Sequence, residues 1–231
     1  MIELAIFDMA GTTIDDRDEV YRVLRESTER HGARYSDEVF QQWMGTEKRW
    51  AIESLLRIGG VDADEALIEE AFAWFLDELR RTYTENPPVP LDGIETALRE
   101  LRKRGVKIGL TTGFSREIAD LILESLGWSD GEIIDTSVTG DEVPAGRPEP
   151  FLIQKAMADM GVEDTAAVIS AGDTASDIES ARRAGVTSIG VLTGHLTRAE
   201  FEDLGADLVI DSVAVLPSHV VLTGDRAGGN R

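Results

Sequence analysis

The chain contains no cysteine, which excludes disulfides, thiolate metal sites and thiol nucleophiles and leaves the redox compartment open. Histidine is scarce: His31, His195 and His219 lie far apart and share no metal-ligand spacing. Lysine is rare as well. Of the 23 basic residues only Lys48, Lys103, Lys107 and Lys155 are lysines, and the other 19 are arginines, so each lysine draws notice. No apolar run approaches the ~18 residues of a membrane span. The opening MIEL has no basic start, and the apolar run behind it meets Asp8 at once. The expectation is a cytoplasmic chain without a signal peptide.

The charge is one-sided, 44 acidic against 23 basic residues and a formal net charge of −21. Such a surface repels nucleic acid and anionic lipid, so neither is expected as a partner. An anionic substrate would need local cations or a metal to hold it against that field. The 231 residues are 42% hydrophobic, enough for one large domain or for a core with a smaller insert.

Residues 3–8 read as a short buried strand that ends at Asp8. Four helical patterns follow: from Glu19 to His31, from Ser36 to Trp43, from Thr46 to the Gly59-Gly60 stop, and a long amphipathic one from Asp64 to Tyr83. Asn86-Pro87-Pro88-Val89-Pro90 is the only proline cluster and reads as a linker. Strands and helices then alternate, with strands expected at 106–112, 133–140, 166–173, 186–194 and 206–211. Helices are expected at 94–104, 115–126, 149–160, 175–184 and 197–203. Apolar strands alternating with helices imply a doubly wound parallel sheet, an α/β core. The expected division is a core of 1–15 and 88–231 with a helical domain of 16–87 inserted. The polar, glycine-rich residues 223–231 read as a loose tail.

In an open parallel sheet ligands bind beyond the carboxyl ends of the strands. Asp8 ends the first strand, Thr111-Thr112-Gly113 the second, and Gly172-Asp173 a later one, with Asp177 one helical turn on. Carboxylates gathered at one spot repel unless a cation lies between them. A few acids with water and phosphate oxygens suit Mg2+, and hydroxyls with a guanidinium suit a phosphoryl dianion.

In this order, Asp8, Thr111, Arg147 before a proline, and GDTASD at 172–177 resemble the four motifs of the haloacid dehalogenase superfamily. The helical insert falls where that superfamily places a type 1 cap. The resemblance implies that Asp8 is a nucleophile forming an aspartyl-phosphoryl intermediate, and that Thr111 and Arg147 hold phosphoryl oxygens. It also implies Mg2+ bound by Asp8, Asp173 and the backbone carbonyl of Ala10, with Asp177 close behind. Substrate contacts are implied for Gly11, Thr12, Met44, Thr112 and Gly113.

Most phosphatases of that superfamily carry an acid two residues after the nucleophile, to protonate the leaving alkoxide. Here the position is Ala10, and losing such help costs about 10²–10⁴-fold. One branch is similar in this detail. Asp8-Met9-Ala10-Gly11-Thr12, Val143-Pro144-Ala145-Gly146-Arg147-Pro148, Thr111-Thr112-Gly113 and Met44-Gly45-Thr46-Glu47-Lys48 resemble the motifs of the phosphonatase-like enzymes. In these a cap lysine forms a Schiff base with the substrate aldehyde, and the carbon leaving group needs no oxygen acid. Lys48 at a helix start is disfavoured by the helix dipole, which lowers its pKa and helps an amine nucleophile. A bland alternative pairs Lys48 with a nearby glutamate. Three positions depart from the branch: Ala51 replaces a histidine, Phe114 an aromatic hydroxyl, and Asp18 a cysteine.

The resemblance thus implies a Mg2+-dependent hydrolase of a small phosphonoacetaldehyde-like phosphonate or a phosphate monoester, with a homodimer also implied. A general phosphatase of the phosphoglycolate phosphatase kind and a non-enzymatic phosphate-binding module stay open. His31, His195 and His219 are expected to be incidental. Trp43, Trp50 and Trp74 are expected to pack the cap or line the cleft.

Overall fold

A computed structural model of the chain describes residues 1–129 and 131–219; the expected loose tail at 223–231 lies outside them. The central strand β1, Leu4–Asp8, is buried along its whole length. Leu4 and Ile6 join one apolar cluster while Ala5 and Phe7 join the other, the period-two alternation of a strand covered on both faces. β2, Ile14–Asp15, follows at once. Four helices come next: α1 (Glu19–Glu29), α2 (Asp37–Gln41), α3 (Lys48–Ile58) and α4 (Glu65–Glu85). Beyond them β3 (Val89–Pro90), α5 (Ile94–Lys103), β4 (Lys107–Thr112), α6 (Arg116–Leu126), β5 (Thr136–Thr139) and α7 (Phe151–Met160) begin the alternating part. It is completed by β6 (Val168–Gly172), α8 (Ala175–Ala184), β7 (Thr187–Val191), α9 (Arg198–Asp203) and β8 (Leu208–Ile210).

Six strands form one parallel sheet in the order β5-β4-β1-β6-β7-β8. The chain builds outward from β1 to one side through β4 and β5, then to the other through β6, β7 and β8. β1 is therefore the point at which the winding reverses, and a crevice opens beyond its carboxyl end. Asp8 lies in register with Thr111 of β4, and Phe7 with Ala171 of β6. The strand ends that carry the candidate residues thus share one edge.

The helices α1–α4 stand between β2 and β3. The starts of α2 and α4 are set by side-chain caps: Ser36 accepts from the Val39 amide at 3.4 Å and Asp64 from the Leu67 amide at 2.9 Å. Each supplies an acceptor for an otherwise unpaired N–H. Val89-Pro90, expected as linker, forms a two-residue antiparallel ribbon with Ile14-Asp15. The Arg17 guanidinium donates to the carbonyls of Asn86 (2.7 Å) and Pro87 (3.1 Å) and so joins the two chain crossings. Arg17 and Asp18 both take left-handed backbone, at φ 60° and 59°, a conformation that costs about 1–2 kcal/mol for a residue other than glycine.

Most elements are shorter than expected by one to three residues at an end, and two of these boundaries have a clear local cause. The strand expected from 133 starts at Thr136, because Asp135 closes the edge of β4 by itself. Its amide donates to the Ile108 carbonyl at 2.8 Å, and its carboxylate accepts from the Ile108 amide at 2.8 Å. The helix expected from Thr46 begins at Lys48, because Glu47 is its cap and accepts from the amides of Arg49 and Trp50, both at 2.8 Å. The Glu47 carboxylate is thereby spent on backbone rather than paired with Lys48.

Candidate active site

Three carboxylates meet beyond the sheet: Asp8 at the end of β1, Asp173 directly after β6, and Asp177 in the first turn of α8. One oxygen from each lies within 4.8 Å of the others, and all three residues are buried. Burial pushes the Asp8 carboxyl up to about 6 and Asp177 adds to the rise, while Arg147 opposes it. Asp173 is pushed well above the usual carboxylate range by burial, with Asp8 and Asp177 adding. Crowded buried anions of this kind call for positive charge. Part of it comes from Arg147, itself only 3% exposed. Its Nη2 donates to Asp8 Oδ1 at 2.6 Å and to Thr111 Oγ1 at 3.2 Å, and its Nη1 pairs with Asp177 Oδ1 at 2.6 Å.

The residues also fit a hard divalent cation. Carboxylate and carbonyl oxygens are its preferred donors, and the Ala10 carbonyl accepts no hydrogen bond among the described residues. The loop around it is tightly built. The Met9 carbonyl accepts from the amides of Thr12, Thr13 and Ile14 at 3.2, 2.8 and 2.9 Å, and Thr13 Oγ1 donates to the Asp8 carbonyl at 2.9 Å. Gly11 has φ +82°, and a Cβ there would stand 2.5 Å from Asp173 Oδ2; only glycine satisfies both demands. Thr12 donates its hydroxyl to Asp173 Oδ1 at 2.9 Å. Thr112 Oγ1 accepts from the Phe114 amide at 3.1 Å and shapes the turn after β4.

The helical insert sits directly on this edge. The Met44 carbonyl accepts from Ser176 Oγ at 3.3 Å, and Gly45 lies against Thr174. A Cβ on Gly113 would fall 2.6 Å from the Thr46 carbonyl and 3.4 Å from Lys48 Nζ, so glycine lets the two backbones touch. Lys48 is buried, and its Nζ donates to the Thr46 carbonyl at 2.8 Å. Burial lowers its pKa to about 8; Arg147 adds to the fall, and the Asp8 and Glu47 charges oppose it. The small space beside it is lined by Phe72, Phe75, Leu76 and Phe114, with Glu47, Ser115 and Asp141 as its polar members. Ala51 is wholly buried in the apolar core.

Trp43 and Trp50 pack edge to face at 4.9 Å, and Arg30 covers Trp74 at 4.2 Å. Trp50 is 45% exposed and lines a surface cavity with Arg49, Phe72 and Pro144.

Some side chains around the site have no clear signal in the sequence. Asp16 is buried and accepts from Tyr83 Oη at 2.7 Å and from the Val20 amide at 3.0 Å. Tyr21 lines a cavity that reaches Asp173, and its hydroxyl feels the charges of Asp173, Asp8 and Asp16. His195 pairs with Asp18 at 3.0 Å, and the hydroxyl of Thr193, two residues earlier, donates to the Gly11 carbonyl. A Gly after an apolar strand, here Gly194, was the one available hint.

Arg147→Ala is expected to destabilise the protein by about 3–5 kcal/mol, the usual cost of leaving buried charge without its partner, read as a lower urea midpoint with unchanged slope. Metal binding has its own readout. At Mg2+ a hundredfold above its dissociation constant, stabilisation by about 2.7 kcal/mol is expected, or a rise in Tm of about 5–10 °C for a chain of this size. The rise should be larger at pH 7.5 than at pH 5.5, because protons compete for carboxyls whose pKa values are raised. It should vanish in Asp173→Asn.

Fold and site together define a parallel-sheet α/β protein with an acid cluster under a helical cap. The haloacid dehalogenase-like hydrolase family model matches residues 5–191. A phosphonoacetaldehyde hydrolase of Bacillus cereus is 31% identical, over 96% of this chain and 89% of that protein. A hydrolase from Pseudomonas syringae superposes with TM-score 0.83 at 24% identity, covering 94% of this chain and 97% of its own. A phosphonoacetaldehyde hydrolase-like protein from Oleispira antarctica superposes with TM-score 0.80 at 24% identity, covering 97% and 95%. The chain belongs to the haloacid dehalogenase-like hydrolases, in their phosphonatase-like branch. No described helix is long and apolar enough to cross a membrane.

Proposed function

We propose that this chain is a Mg2+-dependent hydrolase that cleaves a small phosphonate of the phosphonoacetaldehyde kind, or a phosphate monoester, through Asp8. The observation that carries the reading is a buried lysine with pKa about 8 at the first residue of cap helix α3, next to the loop seated on the nucleophile's edge, while Ala10 stands where an oxygen acid would be. Residues 1–15 and 88–231 form the core in this reading and 16–87 the cap. Asp8, Asp173 and the Ala10 carbonyl would hold the ion, with Asp177 beside them. When bound, the ion supplies the positive charge that lets a phosphoryl dianion approach a carboxylate.

The neutral Lys48 amine condenses with the substrate aldehyde, taking up one proton from solvent and releasing water, to leave a protonated imine. Asp8 then attacks phosphorus, aided by Arg147 and Thr111 on the phosphoryl oxygens. The electrons of the broken C–P bond pass into the iminium, giving an enamine on Lys48. Protonation at carbon and addition of water free the aldehyde product, and a second water cleaves the aspartyl phosphate. No alkoxide forms, so the departing group needs no acid at position 10.

The burial of Ala51 and Phe114 near Lys48 supports a second reading, a phosphatase, since neither side chain can move a proton there. Phosphate release from phosphonoacetaldehyde and from p-nitrophenyl phosphate, with Mg2+ and with chelator, decides between them. Metal-dependent release from the phosphonate is expected. Release from the ester alone would favour the phosphatase, and release from neither would overturn both.

A further inference from the structure

Lys48 shares its small cavity with a hydroxyl, that of Ser115. The volume is about 20 Å³, room for a single water-sized group, which needs ~10–15 Å³. Gly113 stands in the same wall, and a Cβ there would lie 3.4 Å from Lys48 Nζ, so the nitrogen reaches this wall. The other polar side chains of the cavity are committed. Glu47 accepts from the amides of Arg49 and Trp50, both at 2.8 Å. Asp141 accepts from the Arg116 amide at 3.0 Å and from the Thr139 hydroxyl at 2.6 Å. Lys48 itself donates to the Thr46 carbonyl. The Ser115 oxygen is buried and has no hydrogen-bond partner among the described residues.

Its place in the chain explains why that hydroxyl is free. Ser115 precedes α6, where a serine ordinarily turns its oxygen back onto the helix amides, and it makes no such bond. The Asp141 carboxylate supplies an acceptor and negative charge at that helix start instead. A buried hydroxyl without a partner is costly and calls for one. Neither Ala51 nor Phe114 can handle a proton beside Lys48.

We infer, resting on the imine reading of the proposed function, that Ser115 binds the aldehyde oxygen of the substrate, and that this cavity holds the oxygen until it leaves as water. The carbon joined to Lys48 Nζ sends its phosphonate arm toward Asp8. None of the clustered acids lines the cavity, so the oxygen on that carbon is left to the side where Ser115 stands. The Lys48 lone pair adds to the carbonyl carbon, and the C=O electron pair moves onto oxygen, which accepts the Ser115 hydrogen bond. A proton must then pass from nitrogen to oxygen. Direct passage closes a strained ring. Through Ser115, which takes one proton and gives another, the ring is larger and unstrained. One solvent proton completes the departure of water as the nitrogen lone pair forms the C=N bond, and Ser115 ends unchanged. Ser115 is thus a catalytic residue of imine formation, with no part in the attack on phosphorus.

The test reads imine formation apart from bond cleavage. In Asp8→Asn, phosphonoacetaldehyde can join Lys48 while phosphorus is not attacked. Borohydride quenching at successive times, with peptide mass spectrometry, then gives the rate at which the Lys48 adduct appears. Adding Ser115→Ala is expected to slow that rate by about 10-fold or more. Thermal melts supply the structural control. Ser115→Ala alone should melt at or above the wild-type temperature, because Asp141 already serves the start of α6 and an unbonded hydroxyl is removed. An unchanged rate of adduct formation would overturn the inference and leave the proposed function standing. A slower rate accompanied by a marked fall in Tm would also overturn it, since the hydroxyl would then be structural. No adduct in Asp8→Asn with Ser115 intact would overturn the imine reading itself, and this inference with it.

Discussion

Asp8→Asn is expected to lose phosphate release on every substrate by about 10⁴-fold or more, the scale seen when a covalent nucleophile is removed. The amide keeps the shape of the carboxylate, but it is a feeble nucleophile toward phosphorus and cannot form the aspartyl phosphate. The fold should survive, since β1 is held by its apolar residues and by pairing to β4 and β6. The pH dependence of stability should also change. Asp8 has a folded pKa of about 6 against an ordinary 3.8. Its contribution to folding is therefore full below pH 3.8 and lost as pH rises through 6. Without Mg2+, the wild type should lose stability across pH 4–6 more steeply than Asp8→Asn, as followed by thermal melts. A variant that turned over within tenfold of wild type would remove Asp8 from the chemistry.

Lys48→Ala should separate the two bond types. Cleavage of an aldehyde phosphonate is expected to fall by about 10³-fold or more, because C–P bond breaking loses its electron sink. Hydrolysis of p-nitrophenyl phosphate should stay within about tenfold, since its leaving group needs no iminium. Borohydride added during phosphonate turnover should fix a reduced adduct on Lys48, located by peptide mass spectrometry. The wild-type rate should rise with pH to an inflection near 8. Burial has lowered the ammonium pKa from 10.5 to about 8, so the nucleophilic free amine is about a tenth of the population at pH 7. Lys48→Arg, which keeps the charge but cannot form an imine, should match Lys48→Ala. If it instead restored turnover, Lys48 would be acting as a cation for the phosphoryl group.

The strand ends were readable before any coordinates because apolar runs stop at them: Ile6-Phe7 at Asp8, Ile108 to Leu110 at Thr111, and Val168 to Ala171 at Asp173. The neighbours of those ends were less readable. Thr12 and Thr112 stand in the motif, and their hydroxyls bond Asp173 and the Phe114 amide, partners that no sequence spacing announces. Glu47 beside Lys48 suggested a charge pair, but two unpaired helix amides claimed it. Asp18 meets His195 across 177 positions of chain, and no local period carries that contact. Val89-Pro90 resembled a linker because two residues of antiparallel pairing leave no alternation to detect.

The ribbon of β2 and β3 sets how the cap can travel. Two chain crossings joined side by side by backbone pairing, and again by Arg17, behave as a strip rather than as two independent strings. A strip bends readily across its flat face and resists shear and twist. Should the four-helix insert tilt, the strip would confine it to one axis and bring Lys48 back to one position against Gly113.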